Sequence, residues 1–403
     1  MIGSCGLPTV RHAAIPFMLL LFDMTSTRMK ILIEGASGRL ARTQHLPALL
    51  QLRQEGLKLS DGSRCFPEPV LLGRNPEKLR ALAEPHQLEW CTDRQSSLSQ
   101  KDVTIYFDAS VTAGRFERAM QALEAGKHVY LEKPLTDSFE QAMALHRFAT
   151  EQGLCNGVVQ DKVYLPGLHK LKKLLDGGFL GKVLSVKLEF GWWVFDGYYS
   201  AAQRSSWNYK KSEGGGLILD MFPHWCYMIE RLIAPIQSVS CLSYTSVPQR
   251  RDETGRDYKV DVEDLAMAMM VLEGGIPVQV FSSWSTRLRR DDMMTLHVDG
   301  SLGSAVVGLH TCNFQSLANT PKPSWNISQE RSERFIDQWQ AMPDVDTYAN
   351  AYRRGWELFL THVAQGCAFP SPFLAGARGL QLIDACHQSH RNRAWVDLPP
   401  LAS

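Results

Sequence analysis

The chain has 403 residues, a formal net charge of +1, 44% hydrophobic residues and 21% charged ones. That length allows two domains with sizeable cores, and the near-neutral balance argues against nucleic acid or an acidic membrane surface as a partner. Nine cysteines are scattered with no C-x-x-C pair, so neither a disulfide framework nor a metal site is indicated, and reduced thiols in a cytoplasmic protein are expected.

Residues 1–28 are read as a disordered or mis-started leader. Ala13–Phe22 is apolar and follows Arg11 and His12, but it is too short to span a bilayer and no small-residue cleavage site follows. Export is the lesser alternative. Met24 and Met29 both precede a strong first strand, Ile31–Ile33. A glycine turn comes next, spelled G-x-x-G-x-x-A, with Ser37 in place of a middle glycine and Ala41 in place of the last. A tight turn that lets a phosphate approach the backbone needs glycine, and the helix behind it offers its N–H groups. Gly35, Ser37, Gly38, Arg39 and Leu40 are therefore candidate cofactor contacts, although a plain strand-to-helix turn fits this stretch equally well.

Glu68–Ala83 reads as a second strand and helix joined by Gly73-Arg74-Asn75. At that point NAD enzymes place a carboxylate on the ribose, and an arginine accommodates a 2′-phosphate. No acid is present; Arg74, Asn75 and Lys78 are, which favours NADP(H) over NAD(H). The alternative for Arg74 is a solvated loop charge. Asp102–Ser110 is a further strand, the helix after it stops at Gly126, and Lys127–Leu135 is another strand ending in Glu132-Lys133-Pro134. Strands alternating with helices predict a doubly wound parallel sheet, whose ligands bind beyond the carboxyl ends of the strands. Ser110, Glu132 and Lys133 lie there.

The second half has a different texture. "LPGLHKLKKLLDGGFLGKV" is an amphipathic helix closed by Gly177-Gly178, and several partly alternating strand-like runs follow. Residues 374–390 read as a late helix. Between them, "GGGLILDMFPHWCYMIERL" hides Asp220 and His224 in an apolar run. Pro223 is tolerated only in a first turn, so a helix is predicted from near Asp220, with both polar side chains on one face. A helix N-cap beside a satisfied core histidine is the competing explanation.

The elements "AGKHVYLEKPL" and "GGGLILDMFPHW", in that order, resemble the glucose–fructose oxidoreductase/inositol dehydrogenase (Gfo/Idh/MocA) family, with the likeness running from about Lys30 to about Leu398. The resemblance implies an NAD(P)-binding Rossmann domain, here 29–155, and an α/β domain, 156–403, built on a large, mostly antiparallel open-faced sheet. It also implies that this sheet forms dimers or tetramers. The family pattern brings Lys133 and the Asp220–His224 helix to opposite sides of the nicotinamide, which makes Lys133, Asp220 and His224 the catalytic candidates. Hydride transfer from an alcohol must also release the hydroxyl proton, for which His224 is the best base and Lys133 a cation to hold the oxygen. Lys162 matches a position where family members carry a polar or basic group near the substrate.

Phe190–Tyr209 is rich in aromatic side chains suited to sugar faces. Tyr198, Trp207 and Tyr209 are the substrate candidates there, while Trp192 and Trp193 fit a sheet–sheet contact better. "RLRRDD" (Arg287–Asp292) reads as a solvated turn. Two features depart from the family pattern: Phe222-Pro223 replaces the glycine expected after Asp220, and Asp108, Ser110 and Arg115 stand where a T-P pair and a histidine are usual. Asp108 and Arg115 either recognise an unusual substrate or pair structurally. The expected function is an NAD(P)-dependent oxidoreductase acting on a sugar, polyol or related small molecule. The alternatives are redox-assisted glycoside processing with retained cofactor, or a non-catalytic cofactor sensor.

Overall fold

The computed structural model describes residues 26–193, 205–322, 326–328, 334–344, 348 and 350–402. Residues 1–25, most of the expected 1–28 leader, and Tyr198 lie outside the described residues.

Six strands form the first sheet: β1 (Ser26–Glu34), β2 (Arg64–Leu72), β3 (Glu89–Cys91), β4 (Val103–Asp108), β5 (His128–Leu131) and β6 (Asn156–Val158). They lie parallel in the order β3-β2-β1-β4-β5-β6, with the short strand Leu57–Lys58 antiparallel on β2. This is the doubly wound order, and its switch point falls between β1 and β4. Ile31, Leu32 and Ile33 are all sealed from solvent, because helices cover both faces and the strand needs a continuous apolar run. The helices joining the strands include α1 (Leu46–Glu55), α2 (Pro76–Ala83), α3 (Arg115–Glu124) and α4 (Phe139–Glu151).

The first strand corrects the leader boundary. β1 starts at Ser26, and Ser26–Arg28 pair with Arg64–Phe66 of β2. Hydrophobicity marked only its buried centre; the exposed beginning is held by backbone pairing, with Arg28 bridging to Glu68.

After α5 (Pro166–Asp176) come β7 (Val183–Gly191), α6 (Leu217–Leu232), β8 (Ile236–Tyr244), β9 (Leu265–Leu272), β10 (Pro277–Ser283), β11 (Met294–Gly300), β12 (Gly303–Val307) and β13 (Cys312–Ser316). With two short edge strands they build a nine-stranded sheet, antiparallel throughout except where β10 runs parallel to β7. Two helices, α6 and α8 (Phe373–Asn392), pack together, and α8 lies on β8. Burial alternates along β9, with Met267 and Met269 facing outward.

Helix α7 (Ala351–Gln365), although it follows the large sheet in sequence, returns to the first domain. Its Trp356, Phe359 and Leu360 complete the apolar cluster under Ile31, Ile33, Ile105 and Phe107.

Helix α6 begins earlier than the proline rule predicts. It starts at Leu217, and Pro223 sits inside it. A residue far away in sequence makes the early start possible. The Leu217 N–H donates to the Glu263 carbonyl (3.1 Å) and the Ile218 N–H to the Glu263 carboxylate (2.8 Å), satisfying the first-turn donors. Gly216, at φ 127°, turns the chain into the helix. On α8, Gly379 presents no side chain to Pro223, so the two helices meet closely at the proline.

The Arg287–Asp292 turn is more firmly held than a solvated loop. Arg287 stacks on Trp193 (4.0 Å to the ring centroid), Arg290 pairs with Glu189 (2.5 Å), and Asp292 accepts the Leu309 N–H (2.6 Å). Among the described residues no helix is long and apolar enough to cross a membrane, and the eight described cysteines are all free.

Candidate active site

The carboxyl ends of β1, β4 and β5 share one edge, where Glu34 pairs in register with Asp108 and Asp108 with Leu131. The glycine turn follows β1. Gly35 has φ +73°, and a Cβ there would stand 2.8 Å from the Ser110 backbone nitrogen. Only glycine lets the turn after β1 come this close to the turn after β4. The Gly38 N–H closes the turn on the Gly35 carbonyl (2.8 Å), leaving Ser37, Gly38 and Arg39 exposed at the start of a helical run, with Leu40 half-buried. These features fit a dinucleotide pyrophosphate.

At the end of β2, Arg74 and Lys78 are exposed. The Asn75 side chain caps α2 by accepting the Lys78 N–H (2.9 Å), so local helix geometry accounts for it.

The Glu132-Lys133-Pro134 turn after β5 is gripped from behind. Arg115, 2% exposed, donates to the carbonyls of Glu132 (2.8 Å), Ser110 (2.6 Å) and Pro134. Asp108 takes the Arg118 guanidinium (2.7 Å), the Ser110 hydroxyl (2.6 Å) and the Ser110 N–H (2.8 Å). Of the two explanations left open for Asp108 and Arg115, the structural one describes their contacts. A buried carbonyl left without a donor costs about 1–3 kcal/mol, so this arginine holds the loop's shape strongly.

Glu132 is also turned inward. It accepts from His45 Nε2 (2.7 Å) and from the Lys133 N–H (3.0 Å). His45 closes a π-helical turn, Ala41–His45, that leads into α1, and its Nδ1 accepts the Trp356 indole N–H (3.0 Å). Since Nδ1 is an acceptor, Nε2 carries the hydrogen and donates to Glu132. His45 and Trp356 hold Glu132 in place, and sequence reasoning missed both. Their partners lie 87 and 311 residues away, and no local spacing reports such a pair.

Lys133 reaches across to α6. Its Nζ lies 2.6 Å from Asp220 Oδ1 and 3.0 Å from the Asp220 carbonyl. One turn on, His224 is 6% exposed, and its Nδ1 is 2.7 Å from the Tyr227 hydroxyl. Burial first, then the charges of Lys133 and Lys162, push the His224 imidazole well below its ordinary pKa, although Asp161 and Asp220 pull the other way. His224 is therefore neutral at pH 7. Asp161 lies on the far side of Tyr227. Burial alone would raise its pKa, but Lys162 beside it holds the carboxyl well below the usual range. Lys162 is half-buried and ion-paired to Asp161, and its backbone N–H reaches the Tyr227 hydroxyl (3.1 Å).

The structure thus brings Lys133, Asp220, His224 and Lys162 into one electrostatic cluster. Trp207 is partly exposed (45%) in the segment before the glycine run. Tyr209 is a correction: it is 1% exposed, lies under the Arg250 guanidinium (3.9 Å to the ring centroid) and packs against Trp284. A ring covered in this way holds the core and presents no face to a substrate.

The strand order, the glycine turn and the polar cluster define a two-domain protein of the dinucleotide-binding class. Residues 29–159 match the oxidoreductase family with an NAD-binding Rossmann fold, and residues 168–306 match the GFO/IDH/MocA C-terminal domain. A D-xylose dehydrogenase of Paenarthrobacter nicotinovorans is 43% identical over 386 residues, spanning 94% of this chain and 100% of that protein. A levoglucosan dehydrogenase of Pseudarthrobacter phenanthrenivorans is 23% identical over 359 residues, spanning 83% of this chain and 90% of that one. The solved structure of a levoglucosan dehydrogenase in complex with NADH and levoglucosan has the same fold, with a TM-score of 0.78 at 20% identity, covering 93% of this chain and 100% of that one. The chain belongs to the Gfo/Idh/MocA family of oxidoreductases, as its E-K-P and D-x-x-x-H elements led us to expect.

Proposed function

We propose that this protein is an NAD(P)-dependent dehydrogenase of a sugar or related polyol. The observation that carries the reading is the meeting of Lys133 with Asp220 and a neutral, buried His224 at the carboxyl edge of the Rossmann sheet. The bound dinucleotide supplies the hydride acceptor in one direction and the donor in the other. Gly35, Ser37, Gly38, Arg39 and Leu40 hold its pyrophosphate side, and Ser110 and Lys133 border its inner end. Glu132 acts indirectly, by fixing the Lys133 backbone. Lys133 holds the substrate hydroxyl and offsets negative charge on its oxygen. Asp220 aims that ammonium. His224 takes the hydroxyl proton during oxidation and returns it during reduction. Lys162 and Trp207 contact the rest of the substrate, and the substrate class follows the 43% identical D-xylose dehydrogenase. A screen of aldoses and polyols for reduced-cofactor absorbance tests this directly; no sugar or polyol turning over with either cofactor would end the proposal.

The cofactor is NADP(H) on this reading, because β2 ends without a carboxylate and leaves Arg74 and Lys78 exposed at the ribose position. Arg74→Ala should weaken NADPH binding by about tenfold, the size of a lost 1.4 kcal/mol contact, and leave NADH binding nearly unchanged. Fluorescence titration with both cofactors checks it, and equal losses for the two would remove the 2′-phosphate role.

A second copy of the chain covers the open face of the large sheet. Leu242 (41%), Tyr244 (65%), Met267 (45%) and Met269 (57%) stand exposed on the neighbouring strands β8 and β9, a contiguous apolar area that asks for a partner. Met267→Glu should shift the protein to monomers in sedimentation velocity; a wild type that already sediments as a monomer would refute the interface.

A further inference from the structure

We propose that Asp161 and Tyr227 are positioning residues that hold His224 as its Nδ1–H tautomer, so that Nε2 is the atom that exchanges the substrate proton. This deepens the proposed role of His224 and rests on it. The hydrogen bonds around one phenol oxygen decide the tautomer. Tyr227 Oη has one hydrogen to give and two lone pairs to fill. It accepts the Lys162 backbone N–H at 3.1 Å. It faces Asp161 Oδ1 at 3.4 Å, where the ionised carboxylate can only accept. The phenol hydrogen therefore belongs to Asp161, and the 2.7 Å contact with His224 Nδ1 is completed only when Nδ1 brings the hydrogen. The opposite assignment would set a phenol lone pair against a carboxylate in a buried site.

The consequence is chemical. Among the described residues, His224 Nε2 has no hydrogen-bond partner, and in this tautomer it carries the basic lone pair. When a substrate hydroxyl gives its proton to Nε2, the imidazolium keeps Nδ1–H directed at Tyr227. The phenol in turn stays directed at Asp161, so the positive charge is met without any proton leaving the ring. Asp161 is itself held by the Lys162 ammonium. The groups that bear on the imidazole are thus Lys133 from the E-K-P turn, Asp161 and Lys162 from the segment after β6, and Asp220 and Tyr227 from α6 itself.

The test uses the full-length protein with 15N-labelled histidine, the His224 signals being assigned by their loss in His224→Ala. In the wild type, long-range proton–nitrogen correlations should show Nδ1 protonated and Nε2 bare. Tyr227→Phe should release the tautomer preference, lower kcat by about ten- to a hundredfold with little change in KM, and move the acid limb of kcat to lower pH as the imidazolium loses support. Asp161→Asn can donate to the phenol oxygen and turn its hydrogen toward Nδ1; it should lower kcat by about 10²–10⁴ by selecting the wrong tautomer. A wild-type spectrum with Nε2 protonated overturns the proposal. So does Tyr227→Phe with an unmoved acid limb and tautomer, whatever its stability. If His224→Ala keeps full turnover while the wild-type ring is Nδ1–H, it is the base assignment that fails, so the two ideas are separable.

Discussion

His224→Ala should lower kcat for sugar or polyol oxidation by about 10²–10⁴, the usual contribution of a positioned base, and leave cofactor affinity nearly unchanged. The physical reason is the state in which the fold keeps this ring. Burial and two lysine charges hold its pKa below the ordinary 6.5, so the basic form predominates at neutral pH and persists well into the acid range. Oxidation in the wild type should therefore fall only as pH drops through that lowered value. In the alanine variant that limb should vanish, and added imidazole should restore part of the rate. The decisive measurement is a kcat profile over pH for both proteins. A variant that keeps turnover within a fewfold of wild type, with its acid limb intact, would falsify the base assignment.

Lys133→Met should lower kcat by about 10²–10³, as expected for losing one charged group that stabilises developing negative charge in a closed site. The substitution keeps most of the side-chain length and removes only the ammonium, so the loop held by Arg115 and Glu132 should retain its shape. Two effects distinguish this from a packing defect. Asp220 loses the partner 2.6 Å away. In addition, the charge that ranks second among the causes depressing the His224 pKa disappears, so the acid limb of kcat should move to higher pH. Unchanged kcat, or an acid limb that stays in place, would reduce Lys133 to a structural tie between the two domains. The shift here is opposite in direction to that expected for Tyr227→Phe, which makes the pair a stringent check on the electrostatics.

Much of the fold was legible because its signals are local. Ile31–Ile33 stands out as a buried parallel strand because both faces are covered and every residue must be apolar. Glycine at 35 is forced by the backbone itself. The E-K-P and D-x-x-x-H elements pointed to the family and to Lys133, Asp220 and His224 before any contact was visible. The weaker readings failed where a distant residue overruled a local rule. Pro223 argued for a helix start near Asp220, yet Glu263 caps the helix from Leu217. Aromatic enrichment pointed to Tyr209 as a substrate contact, yet Arg250 covers its ring.

What the sequence by itself determined was the alternation of strands and helices, the glycine turn, the family, and the identity of the ionisable residues in the cleft. The tertiary structure alone decided which state those residues occupy. Whether His224 is neutral depends on how deeply it is buried and on lysines 91 and 62 positions earlier (224 − 133 and 224 − 162). Which of its nitrogens faces a substrate depends on the hydrogen-bond count at Tyr227 and Asp161. The shape of the Lys133 loop depends on Arg115, His45 and Trp356, drawn from three separate helical segments. Backbone propensity acts over a few residues and can be read along the chain. Desolvation and charge act through space, so they exist only once the chain has folded.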